Sequence, residues 1–296
     1  MTANTPPPKR YRIPLTALVT VLLLAVTAAP AAADDDPPVF FSALQKRLIA
    51  DGFDEQRIRQ LYQNENVFFE TRGVTQYFMH NEAKLNYNRL TRKSLIEEAR
   101  KYMQEHAAEF AEAQRIFQVD PKAITAIILV ETNFGKTLGT KSILNTFSTM
   151  AVLTENGPRE YLWEQLPSNR RYERSKYDQK ADQKAQWAYK ELKAYLTYTE
   201  LHGMDPTQLT GSYAGAMGIA QFIPSNVLPF GKDGNGDGRI NLYEDADAIF
   251  SIASYLKQHG WKPDQNRDGA YKAIYSYNHS KYYVNTILKI MDLIEG

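Results

Sequence analysis

The chain has 296 residues, of which 43% are hydrophobic and 23% charged, and this composition excludes a disordered or collagen-like protein and a coiled coil. With 35 basic and 34 acidic residues the net charge is +1, so no polycationic surface is expected and nucleic acid is not an expected partner. The absence of cysteine excludes disulfides, thiolate metal sites, thiol nucleophiles and a lipid-modified N-terminal cysteine.

The first 33 residues have the three parts of a secretory signal peptide. A basic segment at 9–12 precedes an apolar run at 15–29, and an Ala-x-Ala cleavage pattern follows at 31–33. The apolar run is shorter than the about 20 residues that a membrane span needs, so we predict cleavage after residue 33, with an uncleaved anchor as the alternative. Cleavage removes three basic residues and changes the net charge from +1 to −2. The sequence therefore predicts a periplasmic protein that does not span the membrane after cleavage.

Helical periodicity of apolar residues dominates the rest of the chain. It predicts helices over residues 40–62 and 90–117. Asp120 and Pro121 predict the N-cap and first position of a further helix. Asn-Gly-Pro at 156–158 predicts a break.

The second half of the chain continues this pattern. Three more helices are predicted at 178–202, 246–258 and 271–293, and the alternation typical of strands is scarce. The periodicity therefore predicts a mainly α fold.

One acidic residue interrupts an apolar helical stripe. Ile124, Ile127, Ile128 and Glu131 stand at positions i, i+3, i+4 and i+7. Glutamate is rarely buried without a partner, so Glu131 is either a structural residue, paired or turned to the surface, or a general acid whose pKa is raised by desolvation. The next acidic residue along the chain is Glu155, so no second carboxylate is supplied locally for a two-carboxylate glycosidase.

Residues 233–244 match a twelve-residue EF-hand calcium loop at every ligand position. Side-chain oxygens stand at positions 1, 3, 5, 9 and 12, and position 7 offers its backbone carbonyl. The predicted ligands are Asp233, Asn235, Asp237, Arg239, Asn241 and Glu244. Because the loop occurs once, we interpret Ca²⁺ as a structural ion, and a Gly/Asp turn without an ion is the alternative. No organic cofactor is expected.

Four motifs in order resemble the B-type lytic murein transglycosylases, bacterial envelope enzymes that cleave the glycan strands of peptidoglycan. They are Val-Glu-Thr-Asn-Phe-Gly at 130–135, the Gly- and Ala-rich segment at 212–225, the calcium loop at 233–244, and Tyr-Asn-His-Ser at 277–280. The resemblance is to soluble members of the family, since this chain has no cysteine to carry a lipid.

The resemblance implies a single catalytic acid/base, Glu131. The carboxyl group would protonate the β-1,4 glycosidic oxygen between N-acetylmuramic acid (MurNAc) and N-acetylglucosamine (GlcNAc). As carboxylate it would then take the proton of the MurNAc 6-hydroxyl, which closes on C1 to give a 1,6-anhydro product without water. The absence of a nearby second carboxylate agrees with this scheme, because the intramolecular hydroxyl needs no protein nucleophile.

The resemblance also implies the residues that contact the sugars. They are Ser212, Tyr213, Gln221, Tyr277, Asn278 and Tyr283. From the residues alone, small-residue helix packing at 212–225 and a core position for Tyr283 stay open as alternatives.

The fold implied is a lysozyme-like (α+β) catalytic core at 116–296. It would have a short hairpin after Glu131, a helical insertion around 155–205 and the single EF-hand-like loop, with an N-terminal helical region at 34–115 packed on it. The implied partners are peptidoglycan glycan strands, together with cell-wall synthesis or remodelling proteins. Two other functions stay open: a hydrolytic muramidase and a non-catalytic, calcium-stabilised peptidoglycan-binding protein.

Overall fold

The computed structural model describes residues 38–79, 87–168, 171 and 173–296, and the predicted signal peptide lies outside them. The described chain is mostly helical, as the periodicity predicts. None of the helices in these ranges is both long and apolar enough to cross a membrane.

Five α-helices lie in the described residues of the N-terminal part. They are α1 (Ser42–Ala50), α2 (Glu55–Leu61), α3 (Thr71–Met79), α4 (Lys93–Glu105) and α5 (Ala107–Phe117), with 3-10 turns at Pro38–Phe41 and Tyr87–Thr91.

The single helices predicted at 40–62 and 90–117 are wrong, because each is divided in two. Gly52, at a φ of +98°, follows α1, and Asp54 begins α2 by accepting a hydrogen bond from the Arg57 amide at 2.7 Å. His106 leaves the helical conformation between α4 and α5, with φ −110° and ψ 30°. Interruptions this short do not disturb the apolar period, so the period alone does not show them.

The next helix, α6 (Pro121–Thr132), begins as predicted. The Asp120 carboxylate accepts a hydrogen bond from the Lys122 amide at 2.8 Å, and Pro121 occupies the first turn. The helix is buried from Ala123 to its end. It stops where three successive residues, 133–135, take positive φ angles of 49°, 58° and 76°. Glu131 therefore lies in the last turn, immediately before a reversal of the chain.

The remaining elements run from residue 141 to 295. They are β1 (Lys141–Ser142), α7 (Ile143–Ala151), a 3-10 turn (Val152–Thr154), α8 (Asn156–Gln165), α9 (Arg174–Leu201), β2 (Thr210–Gly211), α10 (Pro224–Phe230), α11 (Asp245–Gln258), α12 (Arg267–Tyr277) and α13 (Lys281–Glu295).

Three local predictions in this part are corrected. Residues 156–158 start α8 rather than break a helix, since proline is tolerated in a first turn. The helix predicted at 271–293 is two helices, because Asn278 is extended and Ser280 caps α13. The hairpin expected after Glu131 is instead a two-residue antiparallel pair between distant segments, with Lys141 opposite Gly211.

Packing places α6 near the centre of the fold. Helices α4, α5, α11 and α13 all pack on α6, while α7, α8 and α10 pack on α9. The contact between α6 and α13 carries Tyr283 to Glu131, and the β1–β2 pair holds the start of the 212–225 segment.

Candidate active site

Glu131 is buried with one satisfied and one unsatisfied oxygen. Its side chain is 1% exposed, and the Tyr283 hydroxyl donates a hydrogen bond to Oε1 at 2.7 Å. Oε2 is buried without a hydrogen-bond partner. Burial raises the pKa of Glu131 to about 8, and the hydrogen bond from Tyr283 opposes that rise. The carboxyl group is thus mostly protonated at neutral pH and able to give a proton from Oε2.

No second carboxylate contributes to this environment among the described residues. Two influences act on the pKa of Glu131: burial, which raises it, and the hydrogen bond from Tyr283, which lowers it. A two-carboxylate glycosidase requires the two groups within roughly 5–9.5 Å, a separation at which a charged neighbour would affect the pKa. This electrostatic environment supports chemistry on a single carboxyl group.

A tight turn at 217–222, hydrogen-bonded to Thr132 at the end of α6, contains Gln221. Met217 and Phe222 exchange backbone hydrogen bonds of 2.9 and 3.2 Å, and Gly218 and Gln221 both have positive φ angles. The Gln221 amide nitrogen donates to the carbonyls of Gly218 and Leu138, at 2.9 and 3.3 Å. Its Oε1 is buried without a partner. The turn thus fixes the amide with its acceptor atom unsatisfied.

Two hydrogen bonds connect this turn to the helices around Glu131. Thr132, next to Glu131, donates from its hydroxyl to the Ile219 carbonyl at 3.2 Å. Tyr277 donates to the Ala220 carbonyl at 2.5 Å, and the charge of Glu131 adds to the burial that raises the pKa of Tyr277. Thr132 was not predicted as a site residue, and its only signal was its place in the motif at 130–135.

Asn278 completes a set of unsatisfied polar atoms. Its Oδ1 accepts a hydrogen bond from the Ser280 amide at 3.1 Å, while its Nδ2 is buried without a partner. Glu131, Gln221 and Asn278 thus each have one buried polar atom without a hydrogen-bond partner. These atoms are a carboxyl oxygen, an amide oxygen that can accept and an amide nitrogen that can donate. An unmade buried hydrogen bond costs roughly 1–3 kcal/mol, so a water molecule or a ligand that supplies the partner would be favourable at each of these atoms.

Ser212 and Tyr213 have internal contacts. The Ser212 hydroxyl oxygen accepts hydrogen bonds from the amides of Ala214 and Ala216, at 3.3 and 3.0 Å, and shapes the loop before the turn. Tyr213 is buried. The pKa of Tyr77 in α3 is raised by burial and, to a smaller extent, by the nearby Tyr213 hydroxyl. For these two residues a direct contact with sugar stays a prediction.

Gly218 lies where the turn at 217–222 packs closely against Leu242. At φ +66°, an added Cβ would lie 2.3 Å from the carbonyl oxygen of Leu242, which accepts a hydrogen bond from the Ile219 amide. We expect Gly218→Ala to lower the free energy of unfolding by about 3 kcal/mol or more. Gly203 has nearly the same φ, +64°, with nothing within 4 Å of its Cβ position.

Gly203→Ala is therefore the matched control, with an expected loss of about 1 kcal/mol from backbone strain alone. Urea denaturation of both variants measures the difference. Equal losses would contradict a close contact between the turn and Leu242.

The side chains of the predicted calcium loop form hydrogen bonds with other groups of the same loop. The two carboxylate oxygens of Asp233 accept hydrogen bonds from the amides of Gly236 and Gly238, at 2.6 and 2.8 Å. The side-chain amides of Asn235 and Asn241 donate to the two oxygens of Glu244, at 2.8 and 2.7 Å. Within the described ranges no group of three or more His, Asp or Glu side chains is arranged as a metal site. The predicted ligand set also includes two side-chain amides and a backbone carbonyl, and it stays a prediction.

Comparisons with known proteins agree with this description. The sequence model of the Transglycosylase SLT domain family matches residues 38–270. Membrane-bound lytic murein transglycosylase B of Escherichia coli (strain K12) is 36% identical over 154 residues, which are 52% of this chain and 35% of that protein. The match thus spans about a third of that relative's length.

Two solved structures share the fold. E. coli lytic transglycosylase Slt35, in complex with calcium, superposes with a TM-score of 0.66 at 22% identity, covering 86% of this chain and 92% of that one. SltB3 from Pseudomonas aeruginosa, in complex with NAG-NAM-pentapeptide, gives 0.68 at 19% identity, covering 87% and 79%. The family model covers most of the chain, and these folds confirm a mainly α, lysozyme-like architecture. The chain therefore belongs to the Transglycosylase SLT domain family.

Proposed function

We propose that this protein is a lytic transglycosylase that cleaves the MurNAc–GlcNAc β-1,4 bond of peptidoglycan without water. Family membership and the E. coli relative support the reaction class. The observation that carries the proposal is Glu131: buried, with a pKa raised to about 8, one oxygen held by Tyr283 and the other unsatisfied.

In the first step Glu131 is the general acid. Its Oε2 gives a proton to the glycosidic oxygen, the bond from that oxygen to C1 of MurNAc breaks, and GlcNAc leaves with a 4-hydroxyl. General acid catalysis of this kind contributes typically 10²–10⁴-fold. The Tyr283 hydroxyl stabilises the carboxylate that remains by donating to Oε1.

In the second step the same group is the general base. The Glu131 carboxylate takes the proton of the MurNAc 6-hydroxyl, and O6 bonds to C1. This restores the protonated acid and leaves a 1,6-anhydro end. Since the nucleophile belongs to the same sugar ring, its proximity replaces a second carboxylate.

The polar atoms around Glu131 suit the binding of N-acetylated sugars. In this proposal Gln221 Oε1 accepts, and Asn278 Nδ2 donates, a hydrogen bond to hydroxyl or N-acetyl groups of the substrate. Tyr277 fixes the backbone of the turn by donating to the Ala220 carbonyl. Ser212 shapes the start of the 212–225 segment, where Tyr213 also lies.

The relatives support a substrate class and a compartment. SltB3 is described in complex with NAG-NAM-pentapeptide, so we propose that this chain also acts on glycan that carries peptide stems. Peptidoglycan lies outside the cytoplasmic membrane, so we also propose export to the periplasm through the signal peptide at 1–33. Cell-wall synthesis and remodelling proteins are the proposed protein partners.

The proposed division of the mature chain keeps the core at 116–296. Helix α13 packs on both α4 and α6, and α11 packs on α5. These contacts support an N-terminal region, 34–115, held against the core. The insertion proposed around 155–205 corresponds to α8 and α9.

The masses of the soluble products test the reaction. Purified peptidoglycan digested with the protein should release muropeptides one water lighter than hydrolysis products, measured by mass spectrometry. Full-mass products with reducing ends would instead identify a muramidase. Retained binding to peptidoglycan with no release of products would identify a binding protein.

We also propose that residues 233–244 bind Ca²⁺ as a structural ion. The donor set fits: three carboxylates, from Asp233, Asp237 and Glu244, share one loop with two amides that already contact Glu244. A half-turn of each amide would present Oδ1 in place of Nδ2. When bound, the ion supplies charge neutralisation and closure of the loop. The calcium complex of Slt35 supports the choice of ion.

Calcium is expected to stabilise the fold. A site with a Kd of about 10⁻⁴–10⁻³ M, at about 10 mM Ca²⁺, contributes roughly 1–3 kcal/mol, or about 3–8 °C in Tm. Thermal melts with Ca²⁺ and with a chelator measure this shift. Asp233→Asn should abolish it, whereas Asp268→Asn, the same change at an exposed residue outside the loop, should preserve it. Identical melts in both conditions would contradict the calcium proposal.

A further inference from the structure

Two lysines of α9 lie one helical turn apart above a group of aromatic rings. The ammonium of Lys184 is 5.1 Å from the ring centroid of Tyr77 and 5.2 Å from that of Trp187. The ammonium of Lys180 is 5.1 Å from the ring of Phe78 and donates a hydrogen bond to the Phe78 carbonyl at 3.0 Å. We call these five residues the lysine platform. Two of its rings, those of Tyr77 and Trp187, are stacked with an interplanar angle of 6° and form the aromatic floor of the platform.

These two lysines have no counter-charge in the described part of the chain, whereas other cations of the same helix do. Arg174 pairs with two carboxylates, Lys176 pairs with Glu173, and Lys193 pairs with Asp51. Neither Lys180 nor Lys184 forms a salt bridge within the described residues, although both are half-buried.

The arrangement is unfavourable as it stands. Like charges at i and i+4 on a helix repel each other, and partial burial removes the water that would screen them. Burial accordingly lowers the pKa of both lysines, and the charge of Lys180 lowers that of Lys184 further. An anion bound between the two ammonium groups would relieve both costs.

Aromatic contacts join the lysine platform to the 212–225 segment. The Trp187 ring packs edge-to-face on Phe147, with centroids 5.6 Å apart. The Phe147 ring in turn packs against Gly215, in the segment that leads to Gln221: a Cβ added to Gly215 would lie 2.2 Å from Cζ of Phe147. Two ring contacts thus connect the lysine platform with the segment that leads to Gln221.

We propose that the lysine platform binds a free carboxylate of a peptide stem attached to the glycan strand. This inference rests on the proposed function, since it extends the same substrate from Glu131 to α9. N-acetylated sugars joined to a stem carry no negative charge of their own, so the carboxylates belong to the peptide. An ammonium group is a point charge with three donors, which suits a single carboxylate, and the aromatic floor suits apolar side chains of the stem.

The test measures binding without turnover. In the Glu131→Gln background, calorimetry compares a glycan oligomer that carries peptide stems with the same oligomer without peptide. Lys180→Gln and Lys184→Gln should each weaken binding of the peptide-bearing oligomer about tenfold and leave the other unchanged. Lys190→Gln, an exposed lysine of the same helix, should change neither. Lys184→Arg, which keeps the charge, should stay within about threefold of its parent.

Two results would overturn the proposal. One is an equal loss of affinity for both oligomers in the lysine variants. The other is a peptide-bearing oligomer with amidated carboxylates that binds as tightly as the free acid. Turnover by the unmodified protein is assayed separately. If the unmodified protein releases anhydro products but the lysine variants bind the peptide-bearing oligomer normally, the platform is rejected and the transglycosylase proposal stands. If binding depends on the lysines but no bond is cleaved, the transglycosylase proposal is rejected and the platform stands.

Discussion

Replacing Glu131 with glutamine is expected to lower the turnover of peptidoglycan by about 10³-fold or more, with the fold intact. Glutamine has nearly the same volume, and its Oε1 can accept the hydrogen bond that the Tyr283 hydroxyl donates to Glu131. It cannot give a proton to the glycosidic oxygen or take one from the 6-hydroxyl. Both proposed steps therefore lose their catalyst at once.

The measurement is the rate of release of anhydro-muropeptides, followed by mass spectrometry. Glu191→Gln is the matched control, because Glu191 is also a buried glutamate, 2% exposed, and its oxygens accept hydrogen bonds from the amide and hydroxyl of Ser225. We expect its turnover to stay within about threefold of the unmodified protein. Turnover of Glu131→Gln within tenfold of the unmodified protein would reject Glu131 as the acid/base.

The sequence predicted the position of Glu131 because the relevant signals are local. Asp120 and Pro121 define the start of α6, and a helical period counted from there places Glu131 on the apolar stripe. The structure confirms both the start of the helix and the burial of Glu131. Starts with a capping residue and a fixed period can be read from about twelve residues of sequence.

The partner of Glu131 could not be predicted in the same way. Tyr283 is 152 positions away, and the period of α13 does not show which of its residues meets α6. The sequence left Tyr283 open between a core residue and a sugar contact, whereas in the structure it is fully buried and donates to Glu131. Pairing between distant helices depends on the packing of the whole fold.

The relation of the calcium loop to the turn at 217–222 was also beyond sequence reasoning. Leu242, inside the predicted loop, accepts a hydrogen bond from the Ile219 amide at 2.8 Å, and the Ile219 carbonyl accepts from Thr132. Two hydrogen bonds thus separate residues 233–244 from the neighbour of Glu131. Motif matching found the segments one by one and said nothing of the contacts between them.

The buried carboxyl group should also make the stability of the protein depend on pH. The pKa of Glu131 is raised from its ordinary value of 4.5 to about 8. Between these values the folded protein keeps a proton that the unfolded chain releases, so the unfolded state binds fewer protons. The free energy of unfolding therefore falls as pH rises from about 4.5 to about 8, and the loss is complete above the folded-state pKa.

The size of that loss is roughly 3–5 kcal/mol, since each pKa unit corresponds to about 1.4 kcal/mol and Glu131 has almost no solvent exposure to reduce it. Glu131→Gln has no such proton to release. Urea denaturation of both proteins from pH 4 to pH 9 gives the difference in their free energies of unfolding, in which the other titrating groups largely cancel. We expect this difference to move in favour of Glu131→Gln as pH rises and to level off above about pH 8. Parallel pH profiles for the two proteins would mean that Glu131 titrates near its ordinary pKa in the folded state, and the general acid of the proposed mechanism would then have to be another group.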